Sequence, residues 1–150
     1  MSTDVFYKVL LVGSSGKGKT FSARNLDRAT TGFINVENKP LPFKGSFEKT
    51  ARPKTHGEAY QSLIDFGRDS EITSIFFDSF SAYTEMVLSE ARKTKKGFDI
   101  WSMYNDEIGK LLDLIKRVPK PVFITAHYEI LGVEGNMEKR VKVKAREWEG

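Results

Sequence analysis

Residues 5–12, VFYKVLLV, are an almost unbroken apolar and β-branched run, and they lead directly into Gly13-Ser14-Ser15-Gly16-Lys17-Gly18-Lys19-Thr20. Such a run suits a strand buried on both faces of a parallel sheet. The eight residues after it match the G-x-x-x-x-G-K-T pattern in full. TFSARNLDRAT, from Thr20 to Thr30, predicts a helix next, so the motif falls between strand and helix. Small residues let the backbone curl so that successive N–H groups point inward at phosphate oxygens. The following helix would add the positive end of its dipole. Lys19 would reach the β- and γ-phosphates of ATP, and the Thr20 hydroxyl would ligate Mg²⁺. Gly13, Ser14, Ser15, Gly16, Lys17, Gly18, Lys19 and Thr20, with Phe21 directly after them, are the candidate nucleotide-binding residues. The spacing does not fit the dinucleotide fingerprint G-x-G-x-x-G.

Strand and helix patterns alternate along the rest of the chain. GFINV at 32–36 reads as a second strand and ITSIFFD at 72–78 as a third, ending in an acid. PVFITA at 121–126 reads as a fourth. Helices are expected at 57–69, at about 79–93, and at 100–117, where Ile108, Leu111, Leu112 and Ile115 form one stripe before Pro119 stops it. The tail alternates through Arg140, Val141, Lys142, Val143 and Lys144, the period of a half-exposed antiparallel edge strand or hairpin. Strands alternating with helices over 150 residues predict one α/β domain around a mostly parallel sheet. There is no cysteine, which excludes disulfides, cysteine nucleophiles and thiolate metal sites. Two histidines, His56 and His127, are too few for a histidine-rich metal centre. The first residues carry no signal-peptide pattern, and no apolar run approaches the ~20 residues of a membrane span, so a cytoplasmic protein is expected.

Three polar residues end strands at the edge where ligands bind in open parallel sheets. Asp78 closes Ser74-Ile75-Phe76-Phe77-Asp78 and suits a Mg²⁺ site, a helix N-cap, or both. Ser79 follows it, so the water-activating glutamate that many ATPases place there is missing. Glu37, after Gly32-Phe33-Ile34-Asn35-Val36, is the candidate carboxylate in its stead. His127, after Val122–Ala126, could contact the γ-phosphate or the attacking water.

Together these residues resemble the RecA-type ATPase core. In that family the strand after the phosphate loop ends in a catalytic glutamate, as FINVE does at Glu37. The metal-binding strand commonly ends Asp-Ser, as Phe77-Asp78-Ser79 does, and the next ends in a polar γ-phosphate sensor, the place of His127. The resemblance runs from about residue 5 to residue 130, and INVENKPLPFKG and KVKAREWEG are similar to small phage-encoded RecA- and Rad-like ATPases of single-strand annealing and recombination. It implies a three-layer sandwich with strand order 5-1-4-3-2. The strand at 121–126 would lie between the phosphate-loop strand and the Asp78 strand. It also implies a core whose last strands are not represented in this sequence. The implied activity is Mg²⁺-dependent ATP hydrolysis in DNA recombination, repair or replication, stimulated by single-stranded DNA, in a homo-oligomer. Lys19, Glu37 and His127 would be its catalytic residues, with Thr20 and Asp78 at the metal. Lys142 and Lys144 would be placed to act on a neighbouring subunit's nucleotide.

Net charge is +4, and the basic residues cluster at 38–57, Arg92–Lys96 and Lys139–Arg146. Each cluster is either solvated surface or part of a groove for nucleic-acid phosphates. Phe43 and Phe47, set among lysines, suit base stacking or anchorage of the loop on the core. Trp101, Tyr104 and Trp148 read as core or interface aromatics. Two rival functions stay open: a phosphate-loop kinase of a nucleotide or small metabolite, and a nucleotide-gated DNA-binding module with negligible turnover.

Overall fold

The computed structural model describes residues 6–13, 18–133 and 136–141, with side chains described as far as Tyr128. Ser14, Ser15, Gly16 and Lys17 of the glycine-rich motif therefore lie outside the described residues, as do Lys142, Lys144 and Trp148.

The strands are β1 (Lys8–Gly13), β2 (Thr31–Asn35), β3 (Lys49–Ala51), β4 (Ser74–Asp78), β5 (Val122–Val133) and β6 (Asn136–Val141), and the helices are α1 (His56–Arg68), α2 (Phe80–Thr94) and α3 (Phe98–Arg117). Five strands pair in parallel in the order β1-β5-β4-β2-β3, and β6 folds back antiparallel on the outer half of β5. The strand at 121–126 thus lies between the motif-bearing strand and the Asp78 strand, and the Glu37 strand follows. That is the 1-4-3-2 part of the expected order. Among the described residues no strand flanks β1 on its outer side, and β3 takes the place beyond β2.

Alternation along the strands gives the sheet two apolar faces. Ile34, Ile75, Phe77, Val122 and Ile124 share one core with Leu63 of α1, Val87 of α2 and Leu111 and Ile115 of α3. On the opposite face, register aligns Phe33 with Phe76 and Phe76 with Phe123. Their rings stack across the strands at 5.4 and 6.5 Å, and Phe47 stacks on Phe33 at 5.0 Å. The third layer here is a loop and a 3-10 turn, from which Phe43, Phe47, Ala23 and Leu26 pack on the phenylalanines.

Three local expectations change, and a fourth point that the sequence left open is decided. The helix expected from Thr20 to Thr30 is a single 3-10 turn, Phe21–Asn25. Asp27 ends it, because its carboxylate accepts from the backbone N–H groups of Ala29 and Thr30 and offers the chain a turn instead. No α-helix dipole therefore follows the motif. Second, β1 is not buried on both faces: Leu10 is 51% and Val12 44% exposed. It forms an edge among the described residues, beyond the part of the sheet that the helices cover. Third, the 38–57 segment contains β3, pinned by Lys49, whose ammonium donates to Asp69 at 2.5 Å and Glu71 at 2.7 Å. Fourth, Phe47 is 4% exposed, and Phe43 packs beside it while the Arg28 guanidinium lies over both rings at 4.5 and 4.8 Å. These rings anchor the loop, so Phe47 has no face to offer a base.

Helix ends follow their caps. The Thr55 hydroxyl accepts from Glu58 N–H at the start of α1, and the Ser79 hydroxyl from Ala82 N–H at the start of α2. The cap of α2 is thus Ser79, and Asp78 is left to the site. Tyr104 is 5% exposed and meets Trp101 edge to face, so both belong to the core. Among the described residues no helix is long and apolar enough to cross a membrane.

Candidate functional site

β1, β2, β4 and β5 all deliver their carboxyl ends to one edge of the sheet. The alternation that puts Phe33, Phe76 and Phe123 on one face puts Asn35, Asp78 and Thr125 on it two residues later. A run of rings thus passes into a run of polar groups where the strands end. A cavity of about 460 Å³ opens there, lined by Gly18, Lys19, Thr20, Phe21, Glu37, Lys39, Pro40, Pro42, Asp78 and His127. Every described site residue predicted from the sequence lines it except Gly13. That residue touches the site through its carbonyl, which accepts from Lys19 Nζ at 2.8 Å. Gly18 has φ +87°, a conformation that side-chain-bearing residues avoid, so the motif needs glycine there.

Asp78 is 6% exposed, and each of its carboxylate oxygens is bonded. Thr20 Oγ1 donates to Oδ2 at 2.8 Å and Thr125 Oγ1 to Oδ1 at 2.6 Å. Burial pushes the carboxyl above the usual range, and the two hydroxyls offset only part of that. The ammonium of Lys19 is shifted the other way: burial lowers it, against the opposing pull of Asp78 and Glu37. A buried carboxylate and a hydroxyl facing a cavity with Lys19 are hard oxygen donors of the kind Mg²⁺ takes. The donor set fits the metal: Thr20 and Asp78 would hold it, and it would neutralise charge on the β- and γ-phosphate oxygens.

Glu37 reaches this edge through the backbone. Val36 N–H and Glu37 N–H both donate to the Asp78 carbonyl, at 2.6 and 3.0 Å, which holds the chain against β4 for two residues past the last paired residue, Asn35. Glu37 Oε1 accepts from Ser79 Oγ at 2.5 Å and from His127 Nε2 at 2.6 Å, and Lys39 Nζ lies 3.5 Å from Oε2. Burial works to raise this carboxyl, but Ser79, His127 and the Lys39 charge outweigh it and hold it below the usual range. Glu37 is therefore ionised at neutral pH, the state a proton acceptor requires. His127 is fixed from behind, since its backbone N–H donates to Ser81 Oγ at 3.0 Å. A second cavity, of about 420 Å³ along α2, also reaches Glu37.

Four contributors were not singled out from the sequence: Thr125, Ser81, Lys39 and Asn35. Thr125 had a signal, because it stands two residues before His127 on the same face of β5. Asn35 had the same signal, two residues after Phe33 on β2, whereas Ser81 and Lys39 act through helix-start and loop geometry that no periodicity encodes. His56 lies apart at the start of α1, bonded to Glu90.

The model of a family described as the AAA domain matches residues 6–148. The chain belongs to this family. No curated protein matches it. As an AAA domain it is a nucleotide-binding ATPase-type domain of the phosphate-loop class, and the fold described above agrees with that class.

Proposed function

We propose that this AAA domain is a RecA-like, Mg²⁺-dependent ATPase that acts on DNA in recombination, repair or replication, encoded by a phage and working as a homo-oligomer in the host cytoplasm. One observation carries the reading. The carboxylate beside Asp78 is Glu37, just past β2, the strand next to β4, and it is bonded to His127, where the parallel pairing of β5 with β1 ends. A water-activating acid, a metal-binding acid and a γ-phosphate sensor on three adjacent strands are the parts a RecA-type cycle needs. Lys19 and the loop amides hold the phosphates. Thr20 and Asp78 hold Mg²⁺, and Glu37 takes a proton from the attacking water. His127 couples that carboxylate to the γ-phosphate.

Lys44 and Arg52 are exposed and suit contacts to single-stranded DNA, as do Arg92 to Lys96. Lys49 is committed to Asp69 and Glu71 and is left out of this surface.

The test is release of inorganic phosphate from ATP, with and without single-stranded DNA. Turnover that rises with DNA is expected. Lys19→Ala should lose nucleotide binding, and Glu37→Gln should keep binding but lose about 100-fold or more in rate. Phosphoryl transfer to a nucleoside instead of water would identify a kinase. Tight ATP binding with no phosphate release, DNA present, would identify a nucleotide-gated binding module.

A further inference from the structure

Glu37 has a carboxylate with two differently placed oxygens. Oε1 is taken by Ser79 and His127, both fixed by their own bonds to α2. Among the described residues, the contact that Oε2 makes is with Lys39 Nζ, at 3.5 Å. Oε2 is therefore the oxygen through which Glu37 would accept a proton, and Lys39 stands at it.

The backbone at Lys39 is held while its side chain is not. Asn35, 2% exposed, donates from Nδ2 to the Lys39 carbonyl at 2.8 Å, and its Oδ1 accepts from Lys39 N–H at 3.4 Å. Asn38 turns the chain between them with φ +54°. The Lys39 side chain is 67% exposed, so its pair with Glu37 is weak and cheap to exchange. It lines the same cavity as Lys19, and its charge acts on the Lys19 ammonium. Glu37 and Asp78 face these two cations across the cavity, and a bound triphosphate would bring further anionic charge to the same place.

We propose that Lys39 is a cis-acting ligand of the terminal phosphate of a bound nucleoside triphosphate, which leaves Glu37 for that phosphate and frees Oε2 for the attacking water. The proposal rests on the ATPase reading above. In the reaction, the water oxygen bonds to the γ-phosphorus and the bond from that phosphorus to the β–γ bridging oxygen breaks. The water proton passes to Glu37 Oε2, and the diphosphate leaves on the bridging oxygen. Lys39 would neutralise γ-phosphate oxygens through this step from within its own chain. A diphosphate offers it no such partner, so Lys39 would also make the site prefer triphosphate.

The test compares the parent with Lys39→Met and Lys39→Arg in two measurements: phosphate release from ATP, and affinity for a non-hydrolysable ATP analogue against ADP. Lys39→Met should lower turnover by about 100-fold or more. It should reduce the preference for triphosphate over ADP by about tenfold, the scale of one lost charged hydrogen bond. Lys39→Arg should recover most of both. A preference within twofold of the parent would overturn the proposal whatever happened to turnover, because Lys39 would then act on Glu37 alone. Faster turnover in Lys39→Met would mark it as a brake on Glu37 and overturn the proposal too. A parent that binds neither nucleotide, or a Lys19→Ala protein that binds both normally, would instead sink the ATPase reading and this proposal with it.

Discussion

Asp78 sits 6% exposed between the hydroxyls of Thr20 and Thr125, and its burial gives it a dependence on pH with a definite sign. Burial sets its folded-state pKa above the ordinary aspartate value, so the folded protein holds that proton to a higher pH than the unfolded chain does. The stabilisation is fully present below the ordinary aspartate value and is lost as pH rises through the folded value. At pH 7 the bare carboxylate is a cost that a bound cation would relieve. Asp78→Asn removes the charge and keeps the shape, and a threonine hydroxyl can rotate to accept from the new amide. Without metal or nucleotide, the variant should melt about 2–4 °C higher at pH 7, the shift that about 1 kcal/mol brings to a chain of this size. The gain should shrink toward pH 4, and Mg²⁺ should no longer stabilise the protein through this position. Thermal melts at the two pH values check this; an unchanged or lower midpoint at pH 7 would show the charged carboxylate to be no burden.

The loop between β2 and β3 frames the cavity with Lys39, Pro40 and Pro42, and it is tied to the sheet by Phe43 and Phe47 under Arg28. Phe47→Ala should cost about 3–5 kcal/mol, the usual range for a buried phenylalanine, and lower the melting temperature on the order of 10 °C. Nucleotide affinity should weaken as well, because the frame loses its anchor; melts and an ATP titration report the two effects separately. If the melt fell and affinity held, the frame would be independent of its anchor. This element shows where sequence was informative and where it was not. The strands ending at Asn35 and Asp78 and the first half of β5, to Ala126, announced themselves as apolar runs, because buried parallel strands have few other ways to be written. Whether Phe47 faced solvent or core depended on Arg28 and on stacking with Phe33, which are contacts between segments. The 3-10 turn after Thr20 was equally hidden: its residues tolerate a helix, and the Asp27 side chain decides against one. At the site, Lys19, Thr20, Asp78, Glu37 and His127 were legible because each stands in a motif or closes an apolar run. Ser81 and Lys39 were not, since helix-start and loop geometry place them.

At the scale of the whole molecule, charge is spread unevenly for a net of +4, and single-stranded DNA should be held chiefly by exposed cations. Neutralising Lys44 and Arg52 together should flatten the slope of log affinity against log salt by about two units, one per lost phosphate contact. Lys49→Ala should leave the slope alone and lower stability, since it strands Asp69 and Glu71. A double variant that binds with the parent's slope would place the contacts at Arg92 to Lys96 or in the C-terminal basic segment. The stacked rings of Phe47, Phe33, Phe76 and Phe123 bear on a different question, which is how such a chain can drift over generations. Each ring is a neighbour's packing surface, and the four come from segments up to 90 residues apart in the chain. One replacement leaves a hole that the next ring is too rigid to fill, while a matched set of changes restores the volume. These positions should therefore tolerate change only as a group, and the polar groups two residues beyond three of them would keep their alignment only while the group stays in step.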